Sequence, residues 1–429
     1  MAGDQLKPYY GELFLLPWAM ELSIIEPCDY ACSYCFAILG DRGRKHYKGN
    51  NIHTGGVKQA VNLLQNAHKR KTLEAFYLNN KYPVVMSNRT DPFGRKNRVQ
   101  SIALIELFRE MDIPIAFQTK GFIKHDLDFE RVMALIPPSY FYVSIGFDND
   151  ELRQRVEPGA TAIDYRFEMI RELTNRGHKV CVGVNPFVPE WISDTEKFIQ
   201  RIKDSGAEQI LFQCLHMNAS NVRQMTEKEK QRLHGGDLDW WKKVAGKKSI
   251  PTDWGDPFMD SQQMALEMGL KHASFSPYQS ENPWECIESL YPTRLPTTQE
   301  FVYHCTQTKQ TGDIVTFEDW SNWCLARFPE VRNGIGRMVT VHSWGVTKKI
   351  AEQEGWESYP THMSFKTLLR IAWKNMEDLT WLTPLTNGAI VPAVDKQMRP
   401  VFDSKGMALL AFAPPPDHCM QKYEGWIVE

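Results

Sequence analysis

The sequence predicts an α/β fold: a partial (βα)6 barrel with a mixed, tryptophan-rich C-terminal region. Three observations predict it. Short apolar runs alternate with amphipathic stretches over residues 20–215. The polar motifs fall just after the apolar runs, where the C-terminal ends of parallel strands gather in a barrel. Beyond residue 215 the alternation fades, and eleven of the thirteen tryptophans follow.

The strand-like runs are Glu21–Ile25, Tyr82–Met86, Pro114–Gln118, Tyr140–Ile145, Lys179–Val184 and Gln209–Gln213. Each is short, apolar and flanked by breakers. Helix-like stretches lie between them: Gly56–His68, Val99–Met111, Leu127–Leu135, Ala162–Arg176 and Ser193–Lys203. In the fourth, Phe167, Ile170 and Leu173 share one face, while Arg166, Glu168, Arg171 and Glu172 take the others. Gly177 supplies its stop signal. Right-handed crossovers curl such a sheet one way. The expected division is an N-terminal extension (1–20), a barrel (21–215) and an accessory, substrate-binding region (216–429).

In the last region, residues 221–251 are charged and helix-like, with Trp240 and Trp241 between basic flanks. That pattern is either a surface that stacks bases and tracks phosphates or a helix with a wet face. Residues 262–276 predict a helix and short strand that continue the barrel edge, and 317–328 and 363–378 predict amphipathic helices. Val391–Ala413 predicts strands around a polar turn at Asp403–Lys405, and Pro414–Pro416 a stiff connector.

The 429 residues are 42% hydrophobic and 24% charged, the balance of an ordinary globular chain. A net charge of −2 argues against a nucleic-acid binder that is basic throughout and leaves room for a local basic groove. No run approaches the ~18–20 apolar residues of a membrane helix. Met1–Tyr10 lacks the apolar core of a signal peptide, so the expected compartment is the reducing cytoplasm, without membrane contact. Nine cysteines, an odd count, disfavour a disulfide framework. There is no P-loop, dinucleotide fingerprint or internal repeat.

The chemistry concentrates in Cys28-Asp29-Tyr30-Ala31-Cys32-Ser33-Tyr34-Cys35-Phe36, three thiols spaced C-x3-C-x2-C behind a strand-like run and Pro27. Three cysteines this close suit one inorganic cluster and leave it one ligand short. In a [4Fe-4S] cluster that leaves one iron open, free to bind the amino and carboxylate groups of S-adenosylmethionine (SAM). A structural zinc site wants a fourth ligand, often from a second C-x2-C pair, and no such pair is present. Cys286, Cys305 and Cys324 recur at intervals of 18 intervening residues, with Cys419 far beyond. They read as buried free thiols or, by long-range convergence, a second cluster.

The cysteine loop, with Tyr34 before the last thiol, resembles the signature of the radical-SAM superfamily. Further motifs are similar to its spore photoproduct lyase-like, DNA repair photolyase-type branch: Thr90-Asp91-Pro92-Phe93, Thr119-Lys120-Gly121, Val143-Ser144-Ile145, Glu157-Pro158-Gly159-Ala160 with Arg166, and Val184 to Pro189. They fall in order along about half the chain. The resemblance implies a [4Fe-4S] cluster on Cys28, Cys32 and Cys35, with SAM bound beside it. It implies Tyr34 and the Phe36 backbone at the adenine, Thr90 and Asp91 at the ribose or amino group, Lys120 at the SAM carboxylate, and Ser144 and Asn185 at the ribose hydroxyls. Glu157 and Arg166 read as a fold-stabilising pair.

Two departures stand out. Many radical-SAM proteins carry Gly-Gly-Glu after the second strand; here Met86-Ser87-Asn88-Arg89 stands there, leaving Ser87 and Asp91 to bind the SAM amino group. No cysteine lies between Cys35 and Cys181 to serve as a lyase-type hydrogen donor, which counts against photoproduct repair. The expected function is hydrogen abstraction from a nucleic-acid base, a thymine-derived group in DNA, with flavodoxin or ferredoxin as electron donor. The alternatives are radical-SAM chemistry on a peptide or small metabolite, lyase-type repair, and a metal-stabilised nucleic-acid-binding module.

Overall fold

The computed structural model describes residues 6–8, 20–22, 28–35, 61–62, 64–86, 90–122, 127–217, 219–234, 250–251, 256–272, 290, 298–335, 362–374, 390–413 and 426–428. The chain forms two compact units. One gathers Met1–Gln5, Leu22–Lys58 and Val85–Ala273; the other gathers Leu6–Glu21, Gln59–Val84 and Ser274–Glu429.

The first unit is built on a mainly parallel sheet of β1 (Val84–Met86), β2 (Ile115–Thr119), β3 (Tyr140–Ser144), β4 (Lys179–Phe187), β5 (Gln209–Cys214) and β6 (Lys271–His272), in that spatial order. Pairings β2 to β6 are parallel, with Phe117 opposite Phe141, Ser144 opposite Gly183, Val182 opposite Ile210, and Lys271 opposite Gln209. The order is sequential, and the sheet stays open rather than closing on itself. Helices α1 (Arg98–Glu110), α2 (Leu127–Leu135), α3 (Asp150–Val156), α4 (Ile163–Asn175), α5 (Thr195–Asp204) and α6 (Asp256–Glu267) lie between or before these strands in the chain.

Each element follows from its sequence. The strands are buried on both faces, so they read as continuous apolar runs. Helix α4 buries Phe167, Ile170 and Leu173 as the spacing predicts, together with Ile163 and Met169. Helix α5 is capped by Asp194, whose side chain accepts from the Lys197 N–H, and it buries Phe198, Ile199 and Ile202. Each such side chain contributes about 1.5–3 kcal/mol on burial. Phe93, beyond β1, stacks on Phe122, beyond β2, at 3.7 Å, and Phe117 stacks on Phe141 across the β2–β3 pair at 4.7 Å.

The expected strands agree closely, with two extensions. The first begins at Met20–Leu22, and residues 23–25 of the expected run lie outside the described residues. Strand β4 runs on to Phe187, through an irregularity between Val184 and Phe187. The edge strand expected near 262–276 is β6, parallel to β5. Helix α3 is an addition. At seven residues it is too short to show a helical period, and its signal is local: Asn149 accepts from the Glu151 and Leu152 N–H groups.

His178, in the turn before β4, is buried, and its Nδ1 accepts the Ser139 N–H at 3.0 Å. Burial, with the Arg176 charge nearby, lowers its pKa to about 4. The unfolded chain therefore takes up a proton first as pH falls below about 6.5. Stability is expected to be full above that pH and to decline towards about pH 4, by about 2 kcal/mol near pH 5. Urea midpoints across that range check this; a His178→Asn variant, which keeps an acceptor, should lose this part of the decline.

The second unit has a sheet in the order Ile314–Val315, Leu410–Phe412, Ile390–Val394 and Trp426–Ile427. The polar turn appears where expected: Asp403 Oδ1 accepts from the Lys405 and Met407 N–H groups, and Gly406 takes φ 73°. Helix Phe317–Arg327 starts at a capping box of Thr316 and Asp319. Of the stretch expected to be helical over 363–378, the start is strand at His362–Ser364 and helix follows at Phe365–Lys374, while residues 375–378 lie outside the described residues. Trp320 and Trp373 are core, 5.8 Å apart, and the Trp373 indole donates to Ala408 O. Leu73–Asn79, another short helix unseen in the sequence, packs Phe76 against Phe328 at 5.2 Å. Cys305 and Cys324 are buried free thiols. Trp240, Trp241, Cys286, Cys419 and Pro414–Pro416 lie outside the described residues.

Candidate active site at the strand ends

The cysteine loop packs against the C-terminal ends of the strands. Three contacts fix it. Tyr30 donates its hydroxyl to Gly121 O at 2.7 Å, the Ser33 N–H donates to Val156 O, and the Gly159 N–H donates to Tyr30 O. Ala31 turns the chain between the first two thiols at φ 51°, a left-handed conformation that a Cβ makes costly. Behind the loop, the 157–160 turn is held by buried Arg153, which donates to Glu157 O and Ala160 O.

Gly159 sits so close that a Cβ there would lie 2.2 Å from Asp29 O and 2.8 Å from Tyr30 Cα. Both obstacles are backbone. Gly159→Ala is therefore expected to displace the loop and lower bound iron several-fold while every thiol remains, a result that iron assay and visible absorption would read.

The next residues meet in one buried network. Asp91, after β1, accepts from the Phe93 N–H, the Thr119 hydroxyl and the Lys120 N–H, the last at 2.7 Å. Burial pushes its carboxyl up to about 6 against the pull of those donors. The Lys120 ammonium donates to Tyr34 Oη at 2.9 Å and Ser144 Oγ at 2.9 Å, and pairs with Glu157 Oε1 at 2.8 Å. Those contacts use its three donors. The Tyr34 hydroxyl also donates to Glu157 Oε1. Arg166 binds the other Glu157 oxygen at 2.7 Å and donates to Ser144 O and Thr161 O, with both members of the pair fully buried. Burial alone would raise the Glu157 carboxyl; the Lys120 and Arg166 charges overcome it and hold the pKa at about 2.

The row continues across the sheet. Ser144 Oγ donates to Asn185 O, and Asn185 Nδ2 donates to Gln213 Oε1 at 2.7 Å. Thus Tyr34, Asp91, Lys120, Ser144 and Asn185 come together from five separate segments. Thr90 is buried beside Asp91. Phe36 and Ser87 lie outside the described residues. The sequence reading missed Gln213, whose signal is a polar residue at the end of an apolar strand, and Trp191. The Trp191 ring lies 6.0 Å from Tyr34 and stacks on Phe147 at 4.7 Å.

Among the described residues, no three His, Cys, Asp or Glu side chains close around a single metal ion. A cubane cluster holds its thiolates farther apart than one ion does. The three thiols are near enough to feel each other's charge. Burial and the Asp91 charge push the Cys28 thiol up to about 12, and burial with the Glu157 charge raises the Cys32 thiol well above its ordinary value. Thiolates in such surroundings need a cationic partner, which iron supplies. The donor set fits a three-thiolate cluster.

No family model matches the chain. A protein of Pseudomonas phage M6 named "Radical SAM Nalpha-GlyT isomerase" is 24% identical over 303 residues, spanning 66% of this chain and 57% of that protein. Solved structures that resemble it include spore photoproduct lyase complexed with dinucleoside spore photoproduct (15% identity, 59% of this chain and 74% of that one, TM-score 0.37). Another is Streptococcus suis SuiB bound to precursor peptide SuiA (14% identity, 47% and 40%, TM-score 0.32). The resemblance to radical-SAM proteins read from the motifs thus agrees with the name that the phage protein carries.

Proposed function

We propose that this chain is a radical-SAM enzyme that acts on a nucleic-acid base, a thymine-derived group in DNA, by modification or rearrangement. The observation that carries the reading is the convergence of the C-x3-C-x2-C loop with Tyr34, Lys120, Ser144 and Asn185 at the strand ends, in the order the motifs follow along the chain. The relative's name pairs radical-SAM chemistry with isomerisation, which supports rearrangement.

Cys28, Cys32 and Cys35 hold the [4Fe-4S] cluster. With a flavodoxin or ferredoxin as electron donor, that group would supply the one-electron cleavage of SAM to the 5′-deoxyadenosyl radical needed for hydrogen abstraction from the substrate. Thr90, Asp91 and Ser87 border the amino group and ribose, Lys120 takes the carboxylate, Ser144 and Asn185 the ribose hydroxyls, and Tyr34 and Phe36 the adenine. Residues 216–429 supply the accessory, substrate-binding region. A reducing cytoplasm suits this chemistry. Among the described residues, no helix is long and apolar enough to cross a membrane.

Anaerobic reconstitution followed by incubation with deuterated DNA, RNA or peptide tests the proposal. Deuterium should enter 5′-deoxyadenosine from DNA. Transfer from peptide alone would move the chain to a different substrate class, and absence of SAM cleavage would end the reading.

A further inference from the structure

The turn that carries Asp91 into the site also carries two exposed cations, Arg95 and Lys96. It is rigid. The Asn97 amide donates to Asp91 O at 2.9 Å, the Asn97 and Arg98 N–H groups both donate to Gly94 O, and Ser101 Oγ donates to Pro92 O at 2.6 Å. Phe93 anchors the middle through its stack on Phe122. Arg98, next along, is turned inward: it donates to Phe93 O and pairs with Asp128 at 3.5 Å. Among the described residues, Arg95 and Lys96 have no ion-pair or hydrogen-bond partner. The first turn of α1 behind them holds no acidic residue. In a chain of net charge −2, two adjacent unneutralised cations on a fixed turn are not the spill of a general positive excess.

We infer that Arg95 and Lys96 form a backbone-phosphate contact for a DNA strand whose reacting base enters the strand-end site. The inference rests on the nucleic-acid reading above. A guanidinium offers paired donors to a phosphate, and a lysine offers a mobile point charge. Their turn leads out of the site, so a strand delivering one base to that site runs its backbone along this rim. The contact sets position and carries no sequence information. A turn locked at both ends loses little further order when the strand binds.

Titrating a short labelled DNA duplex against the reconstituted protein over a range of salt tests it. Two lost phosphate contacts at ~0.9 each should make the log–log salt slope of the Arg95→Ala/Lys96→Ala variant shallower by about 2, with affinity down roughly tenfold or more near 0.1 M salt. Each single variant should show about half the slope change. Iron content and unfolding midpoint, measured alongside, separate a lost contact from a lost fold. Arg171→Ala/Lys203→Ala removes the same charge near the C-terminal ends of α4 and α5, which lead to the opposite strand ends, and should leave the slope as it was. If the wild type binds DNA and the rim variant shows the same slope, the inference falls while the nucleic-acid reading stands. If the control pair matches the rim pair, it falls again, as a general charge effect. If the wild type does not bind DNA, both fall together.

Discussion

Cys32→Ala is expected to yield protein with no bound cluster, no visible absorption and SAM cleavage at background. Cys32 faces the Glu157 and Lys120 charges and adjoins Ser33, whose N–H is tied to Val156 O. With it gone, two thiolates remain for a group that already has one iron without a protein ligand. Tyr34 and Lys120 keep their own partners, so the fold should survive and the loss should be confined to the cluster. Iron assay, absorption spectra and 5′-deoxyadenosine release check each part. Full iron content with undiminished cleavage would overturn the assignment of the metal loop.

Arg166→Met should produce the largest loss of stability, about 3–5 kcal/mol. The guanidinium is fully buried and serves three acceptors from different segments: Glu157 Oε2, Ser144 O and Thr161 O. Methionine fills similar volume and satisfies none of them. Glu157 would keep only Lys120 as a charge partner, and an incompletely compensated buried charge is costlier than a pair replaced whole. The double variant Glu157→Gln/Arg166→Met should therefore lose less than Arg166→Met alone. Denaturant midpoints of the two proteins decide it; a double variant less stable than the single would show that the charge is not the cause. The same pair sets an acid limit. A carboxyl that titrates near 2 in the folded protein, below its unfolded value, contributes fully above about pH 4.5 and loses that contribution as pH falls towards 2.

The parallel strands were legible because burial on both faces writes an unbroken apolar run, and the ordered motifs then fell at their ends. Lys120 and Ser144 could be placed at the site by that rule alone. Their engagement could not: the contacts of Lys120 with Tyr34, 86 residues away, and with Ser144 and Glu157 are long-range pairings that no local spacing encodes. Asp91 shows the same limit, since its carboxylate serves Thr119 and the Lys120 backbone, a role invisible in Thr-Asp-Pro-Phe. The two seven-residue helices escaped for the opposite reason: both are set by a single cap, with too few turns to repeat a pattern. Strand β4 was read short because Asn185 and Pro186 interrupt its apolar run while the backbone continues through them.

The lysine at the end of β2 has no spare proton to offer, which makes admission of a ligand carboxylate an exchange reaction. A newcomer must evict the phenol, the serine or the glutamate, and the phenol belongs to the cysteine loop. Occupancy of one compartment is thereby thermodynamically coupled to the order of the other, and such coupling is reciprocal. Whatever firms up the loop should change nucleoside affinity by the same factor that the nucleoside changes loop firmness.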